Sequence, residues 1–271
     1  MTSVYSSGDP DRSLPLLWGT PEPPTRGPKP ALTVERIVRA AVDLADGDGL
    51  GALSMRRIAE RLGVGTMSLY TYVPGKGELI DLMVDSVVGE RAPARSSGAS
   101  GSSGPAPGPG GAPEAASPGW RASLERLARE GLASYERHPW LLQLAWNRPP
   151  LGPNVLDDEE ATLAALSGSG LEPRELVAAA TLVSNYTQGA ARAVVDAALA
   201  EKRTGVSEEQ FWAARMTFWD VYFDPERYPR ISEMYAAGAY DDEVDAFEFG
   251  LQRVLDGIEA LVRAQGAGGP A

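Results

Sequence analysis

The chain has 271 residues, enough for two modest domains with a sizeable core. Its 37 acidic and 25 basic side chains leave a net charge of −12, so any binding to nucleic acid must rest on geometry and not on bulk positive charge. The absence of cysteine excludes disulfides and thiolate metal sites. No apolar run is long enough for a membrane span, and no basic stretch with an apolar core opens the sequence as a signal peptide would, so a cytoplasmic protein is expected.

Residues 1–30 are rich in Pro, Gly and Ser, and a disordered arm is predicted there. Arg26 and Lys29 sit close to the first predicted helix. That helix starts after Thr33, an N-cap residue, and carries Ile37, Ala40, Ala41 and Leu44 on one face. Asp46-Gly47-Asp48-Gly49 has the look of a calcium loop, but Leu50 and Arg57 stand where later ligands are required; it is read as a turn.

The stretch from Leu53 to Lys76 carries the clearest signal. Ser54 caps a short helix with Met55, Ile58, Ala59 and Leu62 at helical spacing, and Gly63 ends it. A second helix is predicted from about Gly65 to Val73, turning Leu69 and Val73 inward and closed by Pro74-Gly75. Its remaining residues are Thr66, Met67, Ser68, Tyr70, Thr71 and Tyr72. Hydroxyls are short and polar enough to meet base edges in a major groove about 12 Å wide, and a Met can sit on a thymine methyl. Arg56, Arg57, Arg61 and Lys76 surround this helix against one local acid, Glu60, which suits phosphates. A fourth helix after Lys76 is apolar over a broad arc (Leu79, Ile80, Leu82, Met83, Val84, Val87). It is expected to pack on the reading head and on a second domain.

These residues carry a resemblance. Ile37 to Leu82 resembles the DNA-binding domain of the tetracycline-repressor (TetR) family, through Ile37, Ala40, Leu44, Leu53-Ser54-Met55-Arg56-Arg57-Ile58-Ala59, Leu62-Gly63-Val64, Leu69-Tyr70-Thr71-Tyr72-Val73, Lys76 and Leu79. The resemblance implies that Thr66, Met67, Ser68 and Thr71 face bases, that Arg56 reaches a base or a phosphate, and that Tyr70, Tyr72 and Lys76 hold phosphates. It also implies a homodimer on a palindromic double-stranded operator. The region around Phe247-Glu248-Phe249-Gly250-Leu251 is similar to the ligand-binding and dimerisation domain of the same family.

Residues 92–119 are almost entirely Ala, Ser, Gly and Pro and are expected to form a flexible linker. A ligand signal would then have to pass through packing of the fourth helix on the second domain. That domain is placed at 120–265, followed by a disordered tail at 266–271; the head occupies 31–91. A long helix from about Glu172 to Arg203 shows Leu176, Ala180, Val183, Thr187, Ala190, Val194 and Ala197 spaced by four and three. A last helix, about Asp241 to Ala264, repeats the alternation in Val244, Phe247, Leu251, Val254, Ile258 and Leu261. Such seams suit bundle packing, and Val183, Thr187, Val194, Phe247, Leu251, Val254 and Ile258 are expected at a dimer interface. The alternative is a pair of helices within one chain.

The second domain also has a heavy aromatic load. Trp140, Trp146, Tyr186, Trp212 and Trp219, with Asn185 and Gln188, are candidates for a small-molecule site. An enzyme is the main rival. The single histidine, His138, stands before Pro139-Trp140 without evident Ser and Asp partners, and is read as a cap or a pocket wall. One His and no Cys leave little for zinc. No catalytic residue, metal or cofactor is expected. The sequence thus predicts an all-α, ligand-responsive DNA-binding repressor, with a regulator lacking a ligand as the alternative.

Overall fold

The computed structural model describes residues 8–19, 32–91, 119–146, 148–240 and 244–267. The head is built from capped helices around one apolar core. In α2 (Val34–Asp48) the Thr33 hydroxyl accepts the Arg36 N–H at 3.3 Å, and Ile37, Ala41 and Leu44 are buried. In α3 (Met55–Leu62) the Ser54 hydroxyl accepts the Arg57 N–H, and Gly63 closes the helix at φ 70°, a left-handed conformation that a side chain would strain. The second helix of the motif, α4 (Thr66–Tyr70), is shorter than predicted. Tyr72 and Val73 N–H groups both return to the Leu69 carbonyl, so the chain leaves the helix in a turn. Pro74 disfavours helical backbone at Val73 and forces this early exit. Leu69 and Val73 are nevertheless fully buried, as their i, i+4 spacing requires.

α5 (Lys76–Gly89) is buried along almost its whole length. Part of its cover comes from a segment predicted to be irregular. Pro10–Trp18 forms a helix, α1, with Asp9 as N-cap and Pro10 in its first turn. This corrects the reading of residues 1–30 as disordered, where residues 8–19 are concerned; Arg26 and Lys29 lie outside the described residues. The composition hid an ordinary helix start, Asp-Pro, ahead of Leu14, Leu16 and Leu17. α1 packs against α5 and is tied at both ends: the Asp9 N–H donates to Glu78 Oε1 at 3.1 Å, and Trp18 Nε1 donates to the Leu151 carbonyl at 2.9 Å.

The second body contains α6 (Trp120–Arg137), a 3-10 turn Pro139–Gln143, α7 (Pro153–Leu166), α8 (Pro173–Thr204) and α12 (Ala246–Ala267), with three short helices between the last two: α9 (Glu208–Ala213), α10 (Met216–Val221) and α11 (Pro229–Ala236). α8 packs against α6 and α12. The predicted linker at 92–119 lies outside the described residues, save Gly119. So does the predicted tail beyond Ala267, while residues 266 and 267 continue the last helix.

The seam residues fall differently from expectation. Val183, Thr187, Phe247, Leu251 and Ile258 are buried within the single chain, and Val254 is half-buried; Val194 alone of the set is exposed. The four-three spacing marks the face by which α8 and α12 meet each other and α6. Their outer faces carry Leu182, Gly189, Ala193 and Val194 on α8, and Phe249, Gly257, Ala260 and Leu261 on α12, all exposed. Spacing identifies a buried stripe without saying which chain buries it.

Across the outside of the bundle, Arg129 grips Glu248 through two nitrogens, and Arg121 reaches Gln252, Asp256 and Glu259, joining α6 to α12. The Arg129 hydrogen bond holds the Glu248 carboxyl below its usual range, and Arg121 does the same for Asp256. A carboxyl depressed in the folded state stabilises it above the unfolded value and loses that effect as pH falls through the folded one. Glu248→Gln is therefore expected to shrink the loss of stability on acidification below about pH 4.5, the ordinary glutamate value, in urea melts compared across pH.

The head and the second body share one core, in which Leu17, Leu44, Met83 and Val87 cluster with Tyr135, Trp140, Leu141 and Ala191. Two polar ties cross the same boundary. Asp46, at the end of α2, accepts Trp140 Nε1 at 2.8 Å and faces His138 Nδ1 at 2.8 Å, while His138 Nε2 faces Glu90 at 3.2 Å. Asp85, on α5, accepts the Val155 N–H at 3.0 Å and Asn154 Nδ2 at 2.9 Å, capping the first turn of α7 from another element. Burial pushes the Asp85 carboxyl up, against the pull of those bonds. His138 is thus an interdomain strut; the sequence, which read it as a cap or pocket wall, offered no sign of partners on α2 and α5.

Candidate DNA interface and ligand cavity

The outward face of α4 has the form its hydroxyls suggested. Met67 is 79% exposed, Ser68, Tyr70 and Thr71 are exposed, and Thr66 is half-buried. Tyr72 packs its ring against the core of the head and is half-buried. Lys76 is exposed on the first residue of α5. Arg56 is exposed one helix earlier, on α3, held by Glu60 at 2.8 Å.

The local charge is less positive than the linear sequence implied. α2 brings two acids to α3: Asp48 pairs with Arg57 at 2.6 Å and Asp43 with Arg61 at 3.5 Å. All three arginines of α3 therefore have carboxylate partners. These pairs are exposed, and an exposed pair contributes little, so each arginine can turn to a phosphate at small cost. Arg36 and Arg39 are exposed on α2 and add positive charge that the reading of α3 and α4 alone had left out.

A partly open cavity of about 280 Å³ lies between the second body and the end of α5. Of the residues named as ligand candidates, Trp146, Asn185 and Gln188 line it, together with Arg91, Tyr135, Pro149, Asp158 and Thr162. A smaller recess of about 70 Å³ shares Arg91, Tyr135, Asp158 and Thr162 with it and runs on between α6 and α8. Its lining is mostly polar, with Val88, Trp146, Pro149, Val155 and Ala180 as the apolar part, whereas small-molecule pockets are usually mostly apolar with a few polar groups. Burial raises the Tyr135 hydroxyl above its ordinary pKa, keeping it a neutral donor and acceptor.

The other predicted ligand residues are elsewhere. Trp140 is fully buried between the domains, bonded to Asp46. Tyr186 bridges α8 to α12, its hydroxyl donating to the Phe247 carbonyl at 2.8 Å and its ring stacked on Phe247; it lines a separate open recess at that junction. Trp212 and Trp219 belong to the exposed segment α9–α11, where Trp219 packs with Phe218, Phe223 and Tyr235. Aromatic content alone could not separate a core wedge, a helix clamp and a surface cluster from a pocket wall. Conversely, Arg91 and Asp158 were missed as lining residues. Arg91 comes just after the apolar α5, and Asp158 sits in the acidic run Asp157–Glu160, whose composition alone gives no sign of a pocket wall.

Among the described residues, no cluster of His, Asp and Glu could hold a metal ion, and no helix is long and apolar enough to cross a membrane.

Comparison with known proteins agrees with this architecture. Residues 37–83 match the family of bacterial regulatory proteins, tetR family, and residues 112–262 match the tetracyclin repressor-like C-terminal domain. The chain is 45% identical over 261 residues to the HTH-type transcriptional repressor DrrR1 of Streptomyces coeruleorubidus, covering 96% of this chain and 90% of that protein. It is 35% identical over 194 residues to an HTH-type transcriptional regulator of Saccharopolyspora erythraea, covering 71% and 73%. Among solved structures it is similar to ActR of Streptomyces coelicolor in complex with actinorhodin, with TM-score 0.62 and 28% identity over 84% of this chain and 96% of that one. The α4 face, the head that carries it and the helical body behind it thus belong together: the chain is a member of the TetR (tetracycline-repressor) family of DNA-binding transcriptional regulators.

Proposed function

We propose that the protein is a homodimeric repressor that binds a palindromic operator in the cytoplasm and is released by a small molecule held in the cavity of its second domain. One observation supports this most directly. α5 begins at Lys76, beside the reading helix, and the chain leaves its far end at Arg91, in the wall of the cavity. A rod of 14 residues spans about 20 Å, so one rigid element connects the DNA face to the ligand space. ActR, similar over most of its length, is known in complex with actinorhodin and with (S)-DNPA, which favours a ligand over a ligand-free regulator.

On DNA, Thr66, Met67, Ser68 and Thr71 would meet base edges, and Arg56, Tyr70, Tyr72 and Lys76 would hold backbone or base. Two heads are needed because α4 is only five residues long; two copies spaced by about one DNA turn, ~34–36 Å, or a multiple read a palindrome. The exposed outer faces of α8 and α12 would form the four-helix junction between copies. Release then follows if the ligand binds better to a form whose head spacing does not fit the operator; a ligand with equal affinity for both forms would release nothing.

Selection of bound fragments from genomic DNA tests the reading, and gel shifts on the selected site test the residues. Lys76→Ala is expected to weaken binding several-fold on every sequence and to reduce the salt slope by about 1. Ser68→Ala is expected to change sequence preference instead. Failure to select any fragment, or a Lys76→Ala variant that binds like the parent at all salt concentrations, would contradict the docking.

A further inference from the structure

α1 lies outside both stretches that match known families, residues 37–83 and 112–262, yet it is fastened to each of them. One end sits on the DNA side of α5. Glu78, two residues after Lys76, folds its buried carboxylate back over Gly75, where a Cβ would come within 2.7 Å of Oε2, and accepts the Asp9 N–H at 3.1 Å. Just before it the chain meets α5 so closely that only glycine fits. A Cβ on Gly8 would collide with the Asp81 carboxylate and stand 3.2 Å from the Glu78 Cα. Leu17 is then buried in the core shared by the head and the second body, with Leu16 packed against it. At the other end the Trp18 indole N–H donates to the Leu151 carbonyl at 2.9 Å, two residues from Pro149 in the cavity wall. Nine helical residues cover about 14 Å, so α1 packs on α5 as a second, shorter rod with one end on the head and one on the body. If α5 tilts against the second body, its first turn moves relative to Leu151. That motion breaks a hydrogen bond at one end of α1 or draws Leu17 out of the core.

We propose that α1 is a strap that fixes the tilt of α5 on the second body, and with it the separation of the two reading heads, so that it sets how strictly the protein discriminates the spacing of operator half-sites. The α4 residues that meet bases lie outside the strap, so spacing and base preference are separable. The inference rests on the proposed dimeric, DNA-binding function, but the strap itself is also read without DNA.

The test compares the full-length parent with Trp18→Phe, which keeps a ring and removes the indole donor, and with Gly8→Val, which wedges α1 off α5. Trp18 is 55% exposed, so its replacement leaves the core intact, and thermal melts check that both variants are folded. The first arm is amide hydrogen exchange without DNA. Amides from Ile80 to Val84 on α5 are expected to exchange about 5-fold faster in Trp18→Phe, the order of one lost hydrogen bond, and faster still in Gly8→Val, while α8 keeps its parental rates. The second arm uses gel shifts on the selected operator and on copies whose half-sites are moved together or apart by one base pair. The preference for the native spacing is expected to fall about 5-fold in both variants, with half-site sequence preference and salt slope unchanged. Parental exchange on α5 in both variants, an acceleration shared equally by α5 and α8, or an unaltered spacing preference would overturn the proposal. A protein that shows the α5 acceleration but selects no operator would sink the proposed function, and the spacing role with it, while the tie between head and body stands.

Discussion

Replacing Asp46 by alanine is expected to lower stability by about 2–4 kcal/mol, because it strands two buried donors at once. Trp140 Nε1 and His138 Nδ1 both meet the same Asp46 oxygen, Trp140 is fully buried and His138 is 3% exposed. The donors are buried while Asp46 itself is 28% exposed, so the penalty is largely desolvation of the donors, relieved in part where water can enter from the Asp46 side. Asp46→Asn keeps an acceptor of the same shape for the indole and is expected to lose less than half as much. Urea melts of the two variants measure this difference. The variants also report on signalling. With the strut gone, α2 and the 3-10 turn at Pro139–Gln143 are held by apolar packing alone, and a ligand should displace the head less effectively. Equal melts for parent and Asp46→Ala would show that the buried cluster is not sealed from solvent.

The second large effect separates the two faces of the last helix. Leu251 is fully buried in the cluster formed by Leu124, Val183, Phe247 and Leu255. Leu251→Ala is expected to cost about 2–5 kcal/mol through lost burial and a cavity. Phe249, two residues earlier, is 58% exposed on the outer face. Phe249→Asp is expected to leave the melting of the isolated chain nearly unchanged but to weaken association of two copies strongly if they meet through this face as proposed, since the new carboxylate, even beside Arg253, would have to be desolvated in an apolar contact. Sedimentation over a range of protein concentrations distinguishes them. A Phe249→Asp protein that still sediments as a dimer would move the junction to another surface, with the exposed α9–α11 segment the next to examine.

These residues show what a linear reading can reach. The head was legible nearly to the residue, because Ser54, Gly63, Leu69 and Val73 act within a few positions of one another and their roles are local. Its charge was less legible: Asp43 and Asp48 pair with arginines on the next helix only after the chain has folded back. The cavity was half legible. Trp146, Asn185 and Gln188 announced themselves by type, whereas Arg91 becomes a wall residue only through three-dimensional packing. Asp46 and His138 are 92 positions apart, and no periodicity links them. The α8 and α12 stripes were correct as buried stripes and were assigned to the wrong neighbour for five of seven residues, because amphipathicity fixes a face and leaves its partner open. α1 was lost to composition: Pro and Gly on either side masked nine residues with a good cap.

The helix at the start of the chain bears on how such regulators can be re-aimed. Grafting a foreign reading head onto this effector body invites a cut in the Gly- and Pro-rich stretch after Arg91, where the two halves look separable. A cut there would part the Trp18 indole from the Leu151 carbonyl, Asp85 from the α7 backbone it caps, and Asp46 and Glu90 from His138. A working chimera would have to exchange little more than Ser54 to Tyr72 and keep the native α1, α2 and α5 as part of the effector body.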